Sequence, residues 1–298
     1  MTQTTLPPQT EPARPAPQRP TGRNGDRGAA VTSHSILGVW TLVVLAPLLW
    51  TVLQSFKTSQ EIFASPFALP ERWSFDNYVS AWTTAGIGSY FLNTVLVVGS
   101  ALFLTMLLGS MSAYALARFE FPGRTVIRQL ILAGLTFPIF LAVVPLFFVL
   151  QGMGLLGTLP GLILTYTAFA YPFTVFFLIS YFEELPSEIA EAAAIDGASA
   201  WRTFFQIMLP MARPGMASVA ILNFVGLWNQ FLLPLVLNTD QSKWVLTQGM
   251  AAFASSAGYS VDFGALFAGA VMTILPVLVV YIIFQRRLQG SVAQGSLK

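Results

Sequence analysis

Six stretches of this chain, 36–56, 91–117, 130–150, 159–182, 216–238 and 263–285, contain no Asp, Glu, Lys or Arg. Each is long enough to carry a helix across the hydrocarbon core of a bilayer, which takes about 20 residues. That pattern constrains the chain more than any other, and it predicts an all-α integral membrane protein with six transmembrane helices. Charged residues make up 9% of the 298, against roughly 25% in soluble domains. The first stretch is too long for the apolar part of a signal peptide. It runs into QSFKTSQ, 54–60, rather than a small-residue cleavage site, so it is read as retained.

Residues 1–34 hold six prolines and four arginines and almost no large apolar groups. Such a composition buries too little surface to fold, and it predicts a disordered tail followed by a membrane domain over 35–298. Orientation follows from the basic residues, which collect on the cytoplasmic side. With both termini inside, twelve of the fifteen Lys and Arg residues are cytoplasmic, and only Lys57, Arg72 and Lys243 lie opposite. Residues 183–213, between spans four and five, are then cytoplasmic too.

Several kinds of chemistry are excluded. There is no cysteine, hence no disulfide, thiolate metal site or thiol nucleophile. His34 has no companion ligand and reads as an interfacial histidine, so no metal site and no catalytic residue is assigned. A net charge of +2 is too small to imply nucleic-acid binding. No span carries the ionisable residue on which proton- and sodium-coupled carriers usually rely. This weakens an ion-coupled secondary carrier working without an ATPase, which stays open as the alternative, and it favours a neutral cargo. Gly109, Ala113 and Ala117 put small side chains on one face of span two, where another helix can approach. Pro47, Pro138, Pro145, Pro172, Pro234 and Pro276 lie inside spans, where each favours a kink.

The densest cluster of acids, Glu183, Glu184, Glu188, Glu191 and Asp196, runs into EAAAIDGASAWRTFFQIMLPMARPG, 191–215. Pro186 and Ser187 are helix-start signals, with Glu188 and Glu191 near the positive helix end. Asp196-Gly197 ends that helix, because glycine readily takes the left-handed conformation. Ser199 can cap a second helix carrying Trp201, Phe204, Phe205 and Met208 on one apolar face, and Leu209-Pro210 is expected to stop it. Periodicity alone leaves two readings open: a protein-docking hairpin, and an amphipathic hairpin lying on the membrane surface.

These residues carry a resemblance. Glu191-Ala192-Ala193, three residues, Gly197, nine residues, Ile207, one residue and Leu209-Pro210 is similar to the signature loop of permease subunits of ATP-binding-cassette (ABC) importers. FDNYVSAW (75–82), SAYALARFEFPGR (112–124), GLWNQFLLPLVL (226–237) and FQRRLQGSVAQGSLK (284–298) resemble the maltose-type (MalG-like) carbohydrate permeases. The resemblance implies a permease domain over 35–298 whose cytoplasmic coupling helix, in the loop of about 183–213, sits in a cleft of an ATPase subunit. Glu191 would pair with a basic group there, Ala192 and Ala193 would permit close approach, and Gly197, after Asp196, would set the angle between the two helices. The face from Trp201 to Met208 would dock back on the spans. It further implies a bacterial inner-membrane setting, a second permease subunit, two ATPase subunits that use ATP and Mg, and an extracytoplasmic sugar-binding protein. The chain has no phosphate-binding loop and binds no cofactor of its own.

Candidates for the substrate pathway are uncharged. Thr167, Tyr171 and Thr174 share a face of span four, and Asn223 and Gln230 share a face of span five. Amides, hydroxyls and aromatic faces suit a neutral sugar, and they equally suit hydrogen bonds between helices. Trp228, Asn229 and Phe231, near the outer end of span five, are candidates for a gate.

Overall fold

The computed structural model describes residues 23–255 and 262–295, with side chains over 30–255 and 262–285. The expected disordered tail falls mostly on residues 1–22, outside the described residues. The first helix, α1, covers Arg23–Gln54, so helix begins ahead of the boundary expected at residue 34. Two compact units are distinguished, Met1–Leu49 and Trp50–Lys298.

In the second unit, α2 (Ser59–Ala64) and α3 (Asp76–Thr83) are short helices leading to α4 (Ile87–Arg118). Then come α5 (Arg124–Thr136), α6 (Ile139–Gly152) and α7 (Leu159–Glu184). Of the apolar runs, 36–56, 91–117, 159–182 and 263–285 fall in four unbroken helices, α1, α4, α7 and α14 (Phe263–Gly295). The other two are interrupted.

The run at 130–150 is divided between α5 and α6, whose axes bend by 104°. The break falls at Phe137-Pro138, where Phe137 is extended at ψ 123°. A proline ring drives the preceding residue out of the helical region in this way. The pair still connects opposite ends of the bundle. Arg128 of α5 pairs with Glu183 at the end of α7, while the Gly157 N–H, after α6, donates to the Leu237 carbonyl at 2.9 Å. The run at 216–238 forms α11 (Arg213–Trp228) and α12 (Leu232–Leu237), separated at Asn229–Phe231. Pro234 does not cause that break. It lies in the first turn of α12, where a missing N–H costs nothing. Pro47, Pro145, Pro172 and Pro276 stay inside continuous helices.

Burial is arranged as lipid solvation requires. Leu92, Phe103, Phe140, Leu141 and Ile283 are exposed on the spans, while Thr94, Thr105, Ser110, Thr174 and Asn223 are buried between helices. The most extensive packing joins α4 to α7. On that interface stands Gly109, where an added Cβ would lie 2.6 Å from Thr174 Cγ2. Thr174 cannot turn aside, because its hydroxyl donates to the Ala170 carbonyl at 2.9 Å and accepts from Asn223. Gly109→Ala is therefore expected to destabilise the subunit by roughly 1–3 kcal/mol, the usual cost of overpacking. A thermal melt of the purified protein checks this, and an unchanged midpoint would refute the close packing.

At the end opposite Glu183, α13 (Leu246–Ser255) is fastened to the spans. Its Leu246 N–H donates to Thr94 Oγ1 at 2.7 Å, and Asn93 Nδ2 donates to the Ser242 and Trp244 carbonyls at 3.2 and 3.0 Å. In the adjoining turn, the Ser242 hydroxyl and the Lys243 ammonium pull the Asp240 carboxyl down to about 2.

Candidate functional site

The acidic loop leaves α7 at Glu184 through an extended Leu185-Pro186. Its root is tied by arginines that the sequence marked only as topology signals. The Arg118 guanidinium, at the end of α4, donates to the Leu185 carbonyl. Arg128 Nη2 lies 3.0 Å from Glu183 Oε1, a half-exposed pair that contributes at most about 1 kcal/mol.

The first arm is α8, Ser187–Ile195. It ends as expected at Asp196-Gly197. The Gly197 N–H donates to the Ala194 carbonyl at 3.0 Å and the Ala198 N–H to the Ala193 carbonyl at 2.9 Å, the paired bonds of a Schellman cap. Gly197 has φ +78°, and a Cβ there would meet nothing within 4 Å. The requirement for glycine is thus purely one of backbone conformation.

The second arm starts where expected and ends later. Ser199 Oγ accepts from the Arg202 N–H at 3.3 Å, and α9 covers Ala200–Thr203. Leu209-Pro210 does not stop it. The chain widens into a π turn, Phe204–Met208, and continues as α10, Leu209–Met211. Pro210 lacks an N–H, and its ring would strike the carbonyl four residues back. A turn closed by the Leu209 N–H on the Phe204 carbonyl opens the backbone there. The direction changes only at Ala212, where the axis bends by 76° into α11. Gly215, on the first turn of α11, permits this bend to close on α7, because a Cβ there would lie 2.4 Å from the Tyr181 ring.

The apolar face of this arm divides in two. Phe204 and Met208 are buried, and the Phe204 ring lies 5.1 Å from Tyr114 of α4 and 6.3 Å from Phe182 of α7. Trp201 and Phe205 instead stack on each other at 5.9 Å and 9°, and Trp201 is 63% exposed. The expectation of a single face docked on the spans therefore holds for Phe204 and Met208 and fails for Trp201, whose position on α9 turns it outward. The signature divides likewise. Glu191, Ala192, Asp196 and Gly197 are exposed, Ala193 is buried, and Ile207, Leu209 and Pro210 are half-buried. Ile207 and Leu209 pack against the same cluster as Phe204. One side of the loop is available to a partner, and the other is keyed to α4, α7 and α11.

Among the described residues the pathway candidates bond to separate partners. Asn223 Nδ2 donates to Thr174 Oγ1 at 2.7 Å, joining α11 to α7 beside Gly109. Tyr171 donates to Ser112 Oγ at 2.6 Å, and Thr167 to the Ile163 carbonyl of its own helix at 2.8 Å. Trp228 is buried, and its Nε1 donates to the Thr273 carbonyl at 3.1 Å. Asn229 Nδ2 bonds back to the Val225 carbonyl, and Gln230 Oε1 accepts from the Phe231 N–H, both at the break in span five. Among the described residues, two buried hydroxyls, Thr105 Oγ1 and Tyr166 Oη, have no hydrogen-bond partner. Sequence reasoning missed Ser112, Thr105 and Tyr166, since nothing in their spacing separates them from other small or aromatic residues of a span.

Residues 105–293 match the model of the binding-protein-dependent transport system inner membrane component family. The chain is 64% identical over 275 residues to the diacetylchitobiose uptake system permease protein NgcG of Streptomyces coelicolor, covering 92% of this chain and 91% of that one. It is 34% identical over 261 residues to the trehalose transport system permease protein SugB of Mycobacterium tuberculosis, covering 87% and 95%. In fold it is similar to a chain in the crystal structure of a bacterial ABC transporter involved in the import of the acidic polysaccharide alginate. There the TM-score is 0.79 at 22% identity, covering 90% of this chain and 99% of that chain.

Proposed function

Because the chain belongs to the family of binding-protein-dependent transport system inner membrane components, we propose that it couples closure of cytoplasmic ATPase subunits to alternating access for a neutral sugar or oligosaccharide. It is a multi-pass membrane transport subunit and not an enzyme. In this reading it pairs with a second permease subunit and two ATPases that use ATP and Mg, and it receives cargo from an extracytoplasmic sugar-binding protein. Both termini are cytoplasmic, as the twelve-to-three division of basic residues supports.

The observation that carries the proposal is the two-sided loop. Its exposed side, with Glu191, Ala192 and Trp201, suits an ATPase cleft, and its buried side, with Phe204 and Met208, is wedged between α4 and α7. Movement of the loop is thereby passed to two spans at once. The Asn223–Thr174 bond and the break at Asn229–Phe231 lie along α11, which leads directly from that loop. Along the pathway, Thr167, Tyr171 and Gln230 supply hydrogen-bonding groups without charge. The relative named for diacetylchitobiose makes that neutral disaccharide the first substrate to try.

The test is uptake by the complete complex in proteoliposomes. Uptake is expected only with ATP on the cytoplasmic side and with binding protein outside, and a protonophore should leave it unchanged while ATP is clamped. Collapse of uptake under the protonophore would favour the ion-coupled carrier instead.

A further inference from the structure

Between the end of α1 and the first turn of α3, residues 56–77 enclose a polar cleft of about 600 Å³. Its lining carries both signs, Lys57 and Arg72 with Glu61, Glu71 and Asp76. Lys57 is 1% exposed, and its ammonium donates to the Ser65 carbonyl at 2.8 Å. Among the described residues neither Lys57 nor Arg72 forms an ion pair. Glu61 is committed as an anion, since the Thr58 N–H and hydroxyl hold its carboxyl below the usual range. Its oxygens are occupied by Thr58 and by the Glu71 N–H, at 2.7 to 3.1 Å.

The cleft lies at the level of the helix ends. Trp50 Nε1 and Gln54 Nε2, on the last turns of α1, donate to the Pro66 carbonyl at 2.9 and 2.6 Å. Ser59 Oγ accepts from the N–H of Phe263, the first residue of α14, at 2.9 Å. A protein that crosses a bilayer presents such a level to lipid headgroups. Leu69 lines the cleft, and Phe63, Phe67, Trp73 and Phe75 stand in the same segment, all 61% to 89% exposed; aromatic side chains near span ends mark the membrane interface.

We propose that the cleft binds the zwitterionic headgroup of a membrane phospholipid, phosphoethanolamine. The phosphate lies toward Arg72 and Lys57, the primary ammonium toward Glu71 and Asp76, and the acyl chains run along Phe63, Phe67 and Leu69. A neutral sugar would leave both sets of charges unanswered. A headgroup carrying one charge of each sign answers both, and its tails cover the exposed aromatic rim.

The experiment measures retained lipid. The full chain in its complex is placed in nanodiscs containing phosphatidylethanolamine, phosphatidylcholine or phosphatidylglycerol, transferred to detergent, and its bound lipid counted by native mass spectrometry. Phosphatidylethanolamine is expected to be retained, and Arg72→Gln to retain roughly tenfold less, the weight of a charge-assisted hydrogen bond. Phosphatidylcholine should be held more weakly, because its quaternary ammonium has no N–H to donate. Phosphatidylglycerol should also be weaker, since it offers no cation to Glu71 and Asp76. Because Lys57 is buried and its loss risks the local fold, Arg72→Gln and Asp76→Asn, both at exposed positions, carry the test alongside a melting curve. Equal retention of phosphatidylethanolamine by both variants, or equal retention of phosphatidylglycerol by the wild type, would overturn the proposal. So would loss of binding-protein capture in Arg72→Gln with lipid unchanged, which would make this face a protein-docking surface. The two lipid-retention results do not bear on ATP-driven uptake, so failure of this proposal is distinguishable from failure of the importer reading on which it rests.

Discussion

Gly197→Val is expected to lower sugar uptake and sugar-stimulated ATP hydrolysis together, by roughly tenfold or more, at normal membrane expression. The cause is conformational. Gly197 sits at φ +78° with open space where a side chain would go, so Val brings no clash with a neighbour. What it brings is the left-handed backbone penalty, about 1–2 kcal/mol for an ordinary L residue, with valine worse because it is β-branched. The two bonds of the Schellman cap, to Ala193 and Ala194, depend on that conformation. Losing it changes the angle between α8 and α9 while leaving the spans packed. Gly197→Asn, which tolerates the left-handed region, should retain most activity, and Gly197→Ala should fall between. Normal ATPase capture and coupling in the Val variant would remove the docking role from the loop and favour the hairpin resting on the membrane surface.

Phe204→Ala is expected to separate ATP hydrolysis from transport, with uptake falling by roughly a hundredfold while the ATPase still binds. Phe204 is 4% exposed and lies against Tyr114 and Phe182. Truncating a buried aromatic costs about 3–5 kcal/mol. Here that loss falls on the contact through which the loop moves α4 and α7. The exposed side of the loop is untouched, so the partner should still be captured and its hydrolysis should no longer respond to sugar. Trp201→Ala is the complement. At 63% exposure its loss leaves the spans intact and should weaken ATPase capture. The pair of variants is read by pull-down of the ATPase and by uptake in the same proteoliposomes. Full uptake by Phe204→Ala at normal expression would mean that force does not pass through this cluster.

Much of the architecture is legible in local sequence because the bilayer reads length and charge rather than partners. A run of about 20 uncharged residues must satisfy its backbone internally, and this is enough to call six spans. The loop between spans four and five is legible for a different reason. Pro186, Asp196-Gly197 and Ser199 act through their own backbone, so the start, turn and restart of the hairpin follow from adjacent residues.

Where a position depends on a second helix, the sequence alone did not determine it. Proline chemistry is the same at Pro138 and Pro172, yet one ends a helix with a 104° bend and the other stays within α7. The expected stop at Leu209-Pro210 failed because burial of Phe204 and Met208 holds that arm against α4 and α7, and a π turn accommodates the ring. Thr174 and Asn223 are legible in the sequence as uncharged polar groups, but only packing makes them partners at 2.7 Å beside Gly109. The sequence by itself determined which segments are apolar enough to span and the chemistry of the loop's turn, because these depend on the solvent and on neighbours along the chain. Tertiary structure decided which prolines break helices, which face of the loop is free and which polar groups meet, because those outcomes depend on side chains from helices distant in sequence.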